Sequence, residues 1–233
     1  EIALVEAYAV HAFDFETNER RDDAVPLKFI RIGTSAGVQD DIEPGTMAIS
    51  THGLGLDNAG MYYDHPAPDE TVSRIEEAAY EILLKATPEH ARFRKKIIPY
   101  ASRATPGVVS ALVDSAMACN ADFVVGITAA TPGFYGASGR FIDGLVNSVP
   151  DIKNKLAALQ VEEHQIVNME MESSLLFHLA GYLGCPVGTI CPIISKPTAS
   201  TAILDYAASV DTAIEVAISA MLSLNSTQAQ VPS

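Results

Sequence analysis

The chain has 233 residues, a hydrophobic content of 48% and a formal net charge of −14. This size suits one well-filled α/β domain, predicted over residues 1–225 and followed by a flexible tail at 226–233. The acidic excess argues against a nucleic-acid-binding or acidic-membrane surface, because both need clustered Lys and Arg. No run reaches about 18 uninterrupted apolar residues, so the sequence predicts no membrane span.

Predicted helices and strands alternate along the chain. In order, the sequence predicts a helix over residues 1–10, strands over 27–33 and 46–50, a helix over 70–86, an edge strand over 95–102, a helix over 106–118, a strand over 123–129, a helix over 140–148, a strand over 165–169, a helix from residue 172, a strand over 187–194 and a helix over 202–224. Such alternation implies a mostly parallel sheet with helices on both faces. Ligands bind beyond the strand ends of such sheets.

Cysteine and histidine usage indicates no metal site. Cys119, Cys185 and Cys191 lie in apolar segments without metal-ligand spacing, which is typical of reduced, buried thiols in an intracellular protein. The six histidines show neither a metal spacing nor a partner Ser or Cys motif. We therefore expect a cytoplasmic protein without a bound metal.

Residues 31–39, Arg-Ile-Gly-Thr-Ser-Ala-Gly-Val-Gln, combine a strand-borne Arg with a loop of small and hydroxyl residues. The backbone N–H groups and hydroxyls of such a loop can approach an oxyanion, and Arg31 can offer its planar fork to phosphate. A structural Arg beside an ordinary turn explains the same pattern. Both interpretations stay open on the residues alone.

Residues 131–140, Thr-Pro-Gly-Phe-Tyr-Gly-Ala-Ser-Gly-Arg, follow the strand predicted at 123–129. The face of Phe134 can stack a nucleobase, and the Arg140 guanidinium can bond carbonyl oxygens of the base. The alternative is a Phe packed in the core and an Arg exposed to solvent.

A third candidate, Lys196, follows the strand predicted at 187–194. An ordinary surface Lys after a strand explains this position equally well.

Residues 168–174, Asn-Met-Glu-Met-Glu-Ser-Ser, place Glu170 and Glu172 at the start of an apolar helix. A buried carboxylate needs hydrogen-bond donors, an opposite charge or a ligand, and sugar hydroxyls are suitable donors. Alternatively, both acids simply favour the positive end of the helix.

Taken in order, these motifs resemble the nucleoside phosphorylase family, most closely its uridine phosphorylase branch. The resemblance implies a role for each candidate residue in the site. Phosphate would be bound by Arg31 and Thr34; ribose by Thr34, Met171 and Glu172; and the base by Phe134, Ser138, Arg140 and Lys196. The residues implied to be catalytic are Arg31, Glu172, Arg140 and Lys196.

The chain departs from the family pattern at the base end. The uracil-reading Gln of the family falls on Ser138, which is too short to donate and accept along one uracil edge, so base preference is altered unless a water bridges the gap. Lys196 stands where purine-specific relatives place an Asp and uridine phosphorylases usually an Arg. A cation there argues for a pyrimidine, whose leaving-group charge falls on carbonyl oxygens.

The resemblance implies a three-layer α/β/α nucleoside phosphorylase-like fold with a mostly parallel central mixed sheet. The N-terminal strand and the Gly-rich phosphate loop of that family do not precede the first predicted helix, so we expect a fold that lacks both.

The implied reaction is reversible, phosphate-dependent cleavage of a pyrimidine nucleoside to ribose 1-phosphate and free base. Inorganic phosphate is the co-substrate and no cofactor is needed. The implied assembly is a homodimer or a hexamer of dimers. Two alternatives are a catalytically inert nucleoside-binding relative and a purine nucleoside phosphorylase or nucleosidase.

Overall fold

The computed structural model of the chain describes residues 1–25, 27–196 and 206–226. The helices are α1 (Ile2–Ala12), α2 (Glu70–Ala86), α3 (Pro106–Ala118), α4 (Ile152–Ala157), α5 (Ser173–Tyr182) and α6 (Ala207–Ser226). The strands are β1 (Phe13–Asp14), β2 (Glu19–Arg20), β3 (Phe29–Ile32), β4 (Ser35–Gly37), β5 (Met47–Gly55), β6 (Tyr100–Arg103), β7 (Phe123–Ala130), β8 (Gln160–Val161), β9 (His164–Glu170) and β10 (Val187–Ser195).

The central sheet is eight-stranded and mixed, with the order β3-β10-β4-β9-β7-β5-β6 and with β8 paired to β9. Strand β10 runs parallel to β3 and β4, and β7 runs parallel to β5 and β9. The pairs β4–β9, β5–β6 and β5–β10 are antiparallel. Because β10 also pairs with β5, strands β10, β4, β9, β7 and β5 close into a ring. The predicted α/β class with a mixed central sheet is confirmed.

Helices cover the sheet through separate apolar clusters. Val72 and Ile75 of α2 and Leu156 of α4 pack with sheet residues that include Leu54 and Ile127. A second cluster joins α3 and α6 to strands β5 and β10; its buried members include Val108, Leu112, Val216, Ile49 and Ile190. Helices α2, α3 and α6 thus bury one apolar side against the strands, as amphipathic helices of α/β proteins do.

Helix α5 approaches the sheet closely at its first turn. A Cβ added at Gly53 of β5 would lie 2.7 Å from the Cα of Ser174. Ser102 of β6 also donates a hydrogen bond to the Ser174 carbonyl at 2.7 Å. These contacts fix the start of α5 directly on β5 and β6, so the residues between β9 and α5 have little freedom.

Helix α6 is the one helix of the described residues that is long and apolar enough to cross a membrane by length and composition, with a mean hydropathy of 1.4. Its residues Ala213, Val216, Ala217 and Ala220 are buried. They belong to the same apolar cluster as α3. One side of α6 therefore packs within the fold.

Most predicted elements are present, and one is wrong. The predicted helix at 140–148 is absent: these residues form turns with a short bridge between Ile142 and Leu145, and the helix begins later, at Ile152. Gly139 and Gly144 have φ angles of 75° and 79°, and Asp151 has 54°. A right-handed helix cannot continue through such left-handed residues.

Other differences concern the ends of elements. The edge strand begins at Tyr100 rather than residue 95, because Lys95 has a φ of 65° and residues 92–96 form turns. Strand β5 continues to Gly55, beyond the predicted end at residue 50. The final helix begins at Ala207 in the described part of the chain, and residues 202–205 of the predicted helix lie outside the described residues.

Candidate functional site

The carboxylate of Glu170 organises the junction between β9 and α5. Glu170 is the last residue of β9, and its buried side chain accepts hydrogen bonds from the backbone N–H groups of Glu172 (2.9 Å) and Ser173 (3.0 Å). Glu172 precedes the helix and makes no side-chain cap bond to it. Of the two acids, Glu170 therefore stabilises the start of the helix, as the sequence alternative proposed. Glu172 does not, and its carboxylate is exposed.

Arg31 joins the two carboxylates. Its Nη1 atom lies 3.0 Å from Oε2 of Glu170, and its Nη2 atom donates to Oε2 of Glu172. Nη1 also donates to the Cys191 sulfur at 3.2 Å. A Cβ at Gly33 would lie 2.7 Å from both Nη1 and Nη2, so the absence of a side chain there lets the guanidinium fold back. The structure thus brings predicted phosphate and sugar residues into direct contact.

Burial and charge oppose each other in this cluster. Burial raises the pKa of Glu170, although Arg31 and the two backbone donors favour its charged form. Burial disfavours the charge of Arg31, but Cys191, Glu170 and Glu172 together hold the Arg31 pKa above its ordinary value. Burial raises the pKa of the Cys191 thiol to about 12, so this thiol is neutral at pH 7. Arg31 remains a cation between two acids.

Cys191 was missed by sequence reasoning as a neighbour of the site. It is buried, as predicted for a reduced thiol, but its sulfur accepts from Arg31 rather than lying among apolar atoms alone. The register pairs Thr189 of β10 with Arg31 of β3. Cys191 follows two residues later and therefore points to the same side of β10. Only this register would have revealed the contact.

The loop after β3 is shorter and more regular than predicted. Residues 35–37 form strand β4, which pairs with β10 on one side and with β9 on the other. Thr34 lies between β3 and β4, half-buried, and its hydroxyl has no hydrogen-bond partner within the described ranges. Ala36 of β4 pairs with Met169 of β9. The Thr34 hydroxyl is therefore available to a ligand beside the end of β9.

The aromatic loop leaves β7 beside the same strand end. Ala130 pairs with Glu170, and the Thr131 backbone N–H donates to the Glu170 carbonyl at 2.9 Å. Farther along, the guanidinium carbon of Arg140 lies 3.9 Å from the centroid of the Phe134 ring, which is 52% exposed. Phe134 is thus not a core residue. Arg140 covers one of its faces, so a stacked base must use the other face or displace Arg140.

Ser138 is engaged within the aromatic loop. Its hydroxyl donates to the Gly133 carbonyl at 2.7 Å and lies 3.1 Å from the Thr131 hydroxyl. The loop also has Gly139 in the left-handed region, with a φ of 75°. A side chain that stabilises its own loop in this way has less capacity to read a base edge.

The remaining predicted residues take different positions. Met171 is exposed between the two acids. Lys196 forms an ion pair with Glu43, and within the described part of the chain it makes no hydrogen bond or ion pair with Phe134, Ser138 or Arg140. The described structure therefore joins Lys196 to Glu43 by a polar contact and not to these three residues of the aromatic loop.

A separate cleft of about 360 Å³ lies between β5, β6, α2, α3 and the β8–β9 turn. None of the predicted site residues lines it. His52 lines it, with Nδ1 3.0 Å from the Thr51 hydroxyl and its ring 4.7 Å from that of His164. Burial lowers the pKa of His52 to about 4, so its imidazole is neutral at pH 7. Within the described residues, no group of three or more His, Cys, Asp or Glu side chains could hold a metal.

The fold is that of an α/β protein with a mixed sheet, and its acid–guanidinium cluster lies where β9 and β3 end. Residues 2–224 match the family model of the phosphorylase superfamily. The chain belongs to that superfamily, which confirms the family resemblance of its motifs.

Two known proteins are similar to this chain. A uridine phosphorylase of Thermococcus kodakarensis is 25% identical over 168 residues, which are 72% of this chain and 48% of the relative. The chain thus spans about half the length of that curated relative. A Trypanosoma brucei nucleoside phosphorylase, whose crystal structure is described as showing uridine phosphorylase activity, superimposes with a TM-score of 0.79. It is 23% identical, and the match covers 95% of this chain and 76% of that one, which shows a shared fold.

Proposed function

We propose that this chain is a pentosyltransferase of the uridine phosphorylase type. It cleaves a pyrimidine nucleoside with inorganic phosphate: the bond from C1′ to the base nitrogen breaks, a bond from C1′ to a phosphate oxygen forms, and the base leaves with the bonding electrons and is protonated. Superfamily membership supports a nucleoside phosphorylase. The uridine phosphorylase relative and the uridine phosphorylase activity of the T. brucei protein support the pyrimidine substrate.

The contact of Arg31 with Glu170 and Glu172 is the observation that carries the proposal. A guanidinium presents fixed donors to phosphate oxygens, and Thr34 adds a free hydroxyl nearby. The exposed Glu172 carboxylate accepts hydrogen bonds from the 2′ and 3′ hydroxyls of ribose, and Met171 packs against the sugar. Phosphate and sugar are then held side by side, which supplies the proximity needed for transfer.

The base lies at the aromatic loop in this proposal. Phe134 stacks the base, and the Arg140 guanidinium stabilises negative charge that develops on the carbonyl oxygens of the leaving pyrimidine. Lys196 contributes a second cation once it leaves Glu43. Ser138 reaches the base only through water, because its hydroxyl is bonded within the loop.

The reaction needs no metal and no organic cofactor, with inorganic phosphate as the only co-substrate. We also propose a cytoplasmic protein that assembles as a homodimer or a hexamer of dimers. Exposed apolar side chains next to the site support assembly: Phe141 is 83% exposed and Val146 is 98% exposed. Contact between copies would remove these side chains from water. Light scattering after size exclusion tests the assembly, and a monomer would contradict it.

Base release from uridine, thymidine and inosine, each with and without phosphate, tests the function. We expect release from the pyrimidine nucleosides in the presence of phosphate only. Release without phosphate would indicate a nucleosidase, and preferential cleavage of inosine would indicate a purine phosphorylase. Nucleoside binding without any release would indicate an inert relative.

A further inference from the structure

The guanidinium of Arg31 holds two carboxylates that differ in their freedom to leave it. The Glu170 side chain is 2% exposed and also accepts the backbone N–H groups of Glu172 and Ser173 at 2.9 Å and 3.0 Å. The Glu172 side chain is 57% exposed, and within the described residues its carboxylate is bonded to Arg31 alone. Arg31 therefore has one fixed partner and one replaceable partner.

The two terminal nitrogens of the Arg31 guanidinium differ in the same way: one has buried partners and the other has an exposed partner. Nη1 is committed to Glu170 at 3.0 Å and to the Cys191 sulfur at 3.2 Å, and both of these partners are buried. Nη2 faces the exposed carboxylate of Glu172. The guanidinium also rests against Gly33, which limits its movement. An oxyanion that arrives from solvent therefore meets Arg31 at Nη2, where Glu172 already lies.

We propose that phosphate displaces Glu172 from Arg31 and thereby frees its carboxylate for the sugar hydroxyls. Two anions that share one N–H edge repel each other, and the exposed carboxylate is the one that can move into water. This partner exchange rests on the proposed function of the site. It makes phosphate an activator of nucleoside binding at the same site as well as a reactant.

The exchange of partners couples phosphate binding to nucleoside binding, and this coupling acts equally in both directions. Without phosphate, sugar hydroxyls compete with Arg31 for the Glu172 carboxylate; with phosphate, that competition is absent. Exposed ion pairs are weak, so we expect phosphate to tighten nucleoside binding about fivefold. Thermodynamic linkage requires that the nucleoside tighten phosphate binding by the same factor.

Equilibrium titration of the native protein tests the exchange. Sodium sulfate serves as an unreactive tetrahedral dianion, and uridine is titrated calorimetrically in sulfate and in sodium chloride of equal ionic strength. We expect a dissociation constant for uridine about fivefold lower in saturating sulfate. Equal dissociation constants in the two salts would overturn the exchange.

The variant Glu172→Gln provides the second test, because it removes the competing charge and keeps a hydrogen-bonding group. We expect inorganic phosphate to bind this variant about fivefold more tightly than the native protein, and uridine to bind it equally in sulfate and chloride. The matched control is Glu162→Gln, which removes one carboxylate from an exposed ion pair with Arg74 (2.9 Å). This control should keep the native coupling. Thermal unfolding of both variants verifies that they are folded.

The outcomes separate the exchange from the proposed function. Phosphate-dependent cleavage of uridine together with salt-independent uridine binding would overturn the exchange and leave the function standing. Coupling that persists in Glu172→Gln would also overturn the exchange. A native protein that binds neither phosphate nor sulfate would overturn both. The native titrations decide the matter even if Glu172→Gln does not fold.

Discussion

The carboxylate of Glu170 lies 3.0 Å from Nη1 of Arg31, although the two residues belong to strands β9 and β3, which are not neighbours in the sheet. Strands β4 and β10 lie between them. The side chains meet because β3 ends where β4 begins along β10, and Glu170 at the end of β9 lies beside the start of β4. This contact connects the predicted phosphate residue Arg31 to the segment between β9 and α5, which carries the predicted sugar residues Met171 and Glu172.

Neutralising Glu170 should destabilise the protein more than neutralising Glu172. In Glu170→Gln, the half-buried guanidinium of Arg31 loses its fixed counter-charge on the buried Glu170, and we expect a loss of about 3 kcal/mol in the free energy of unfolding. In Glu172→Gln, an exposed pair is lost, with an expected cost below about 1 kcal/mol. Urea denaturation measures both values. Equal stability of the two variants would show that Glu170 does not anchor Arg31.

A side chain at Gly33 should disturb phosphate binding. The added Cβ of Gly33→Ala would lie 2.7 Å from Nη1 and Nη2 of Arg31, too close for either atom to stay in place. We expect phosphate to bind at least about tenfold more weakly, a loss of about 1.4 kcal/mol. Calorimetric titration with inorganic phosphate measures this change.

Gly107→Ala is the matched control for Gly33→Ala. Gly107 lies in the first turn of α3, and a Cβ there meets nothing within 4 Å. This substitution should leave phosphate affinity unchanged and slightly raise stability, since Ala favours helix over Gly. If Gly33→Ala binds phosphate as tightly as Gly107→Ala does, Arg31 is not a phosphate ligand.

Lengthening Ser138 should sharpen base selection. The amide of Ser138→Gln can donate and accept together along one edge of uracil, whereas the native hydroxyl is bonded to the Gly133 carbonyl at 2.7 Å. We expect the ratio of kcat/KM for uridine to that for cytidine to rise about tenfold. Steady-state kinetics on both nucleosides measures this ratio.

Ser138→Ala separates base reading from loop stability. It removes the loop hydrogen bond without adding an amide, and we expect it to cost about 1 kcal/mol of stability. The uridine to cytidine ratio should stay at its native value. A ratio that rises equally in Ser138→Ala and Ser138→Gln would show that loosening of the loop, and not base reading, changes selectivity.

Acid should destabilise the fold through His52. Burial lowers its pKa to about 4 from an ordinary 6.5, so the unfolded chain binds this proton more readily than the folded one. The stability contributed by neutral His52 is complete above about pH 6.5 and falls as the pH drops toward 4, by on the order of 3 kcal/mol.

Denaturation of His52→Gln across this pH range tests the prediction. We expect its stability to depend less on pH between 6.5 and 4 than that of the native protein. His90→Gln, at an exposed position, should keep the native dependence. Superimposable curves for His52→Gln and the native protein would exclude His52 as the cause.

Much of the fold followed from local sequence patterns. The strands predicted at 123–129 and 165–169 agree with β7 and β9 to within one residue at each end, because each is a short apolar run followed by a polar or turn-rich segment. The helix predicted at 140–148 failed because helical spacing of apolar residues does not reveal backbone conformation at Gly139 and Gly144. The exposed Phe141, Leu145 and Val146 show that this spacing did not mark a buried face.

The candidate site was predicted as a set of residues but not as a network. The motifs identified Arg31 and Glu172, yet not their contact, and the same is true of Phe134 and Arg140. The contact between Arg31 and Cys191 joins residues 160 positions apart and depends on the pairing of β3 with β10. Such long-range register is set by packing of the whole sheet, which no local pattern contains.

Phosphorus NMR of the protein with uridine and inorganic phosphate tests the central claim most directly. The signal of ribose 1-phosphate should appear at the same rate as free uracil, in equal amounts, and no uracil should form when phosphate is omitted. Uracil that forms at an unchanged rate without phosphate, or without any ribose 1-phosphate, would contradict phosphorolysis.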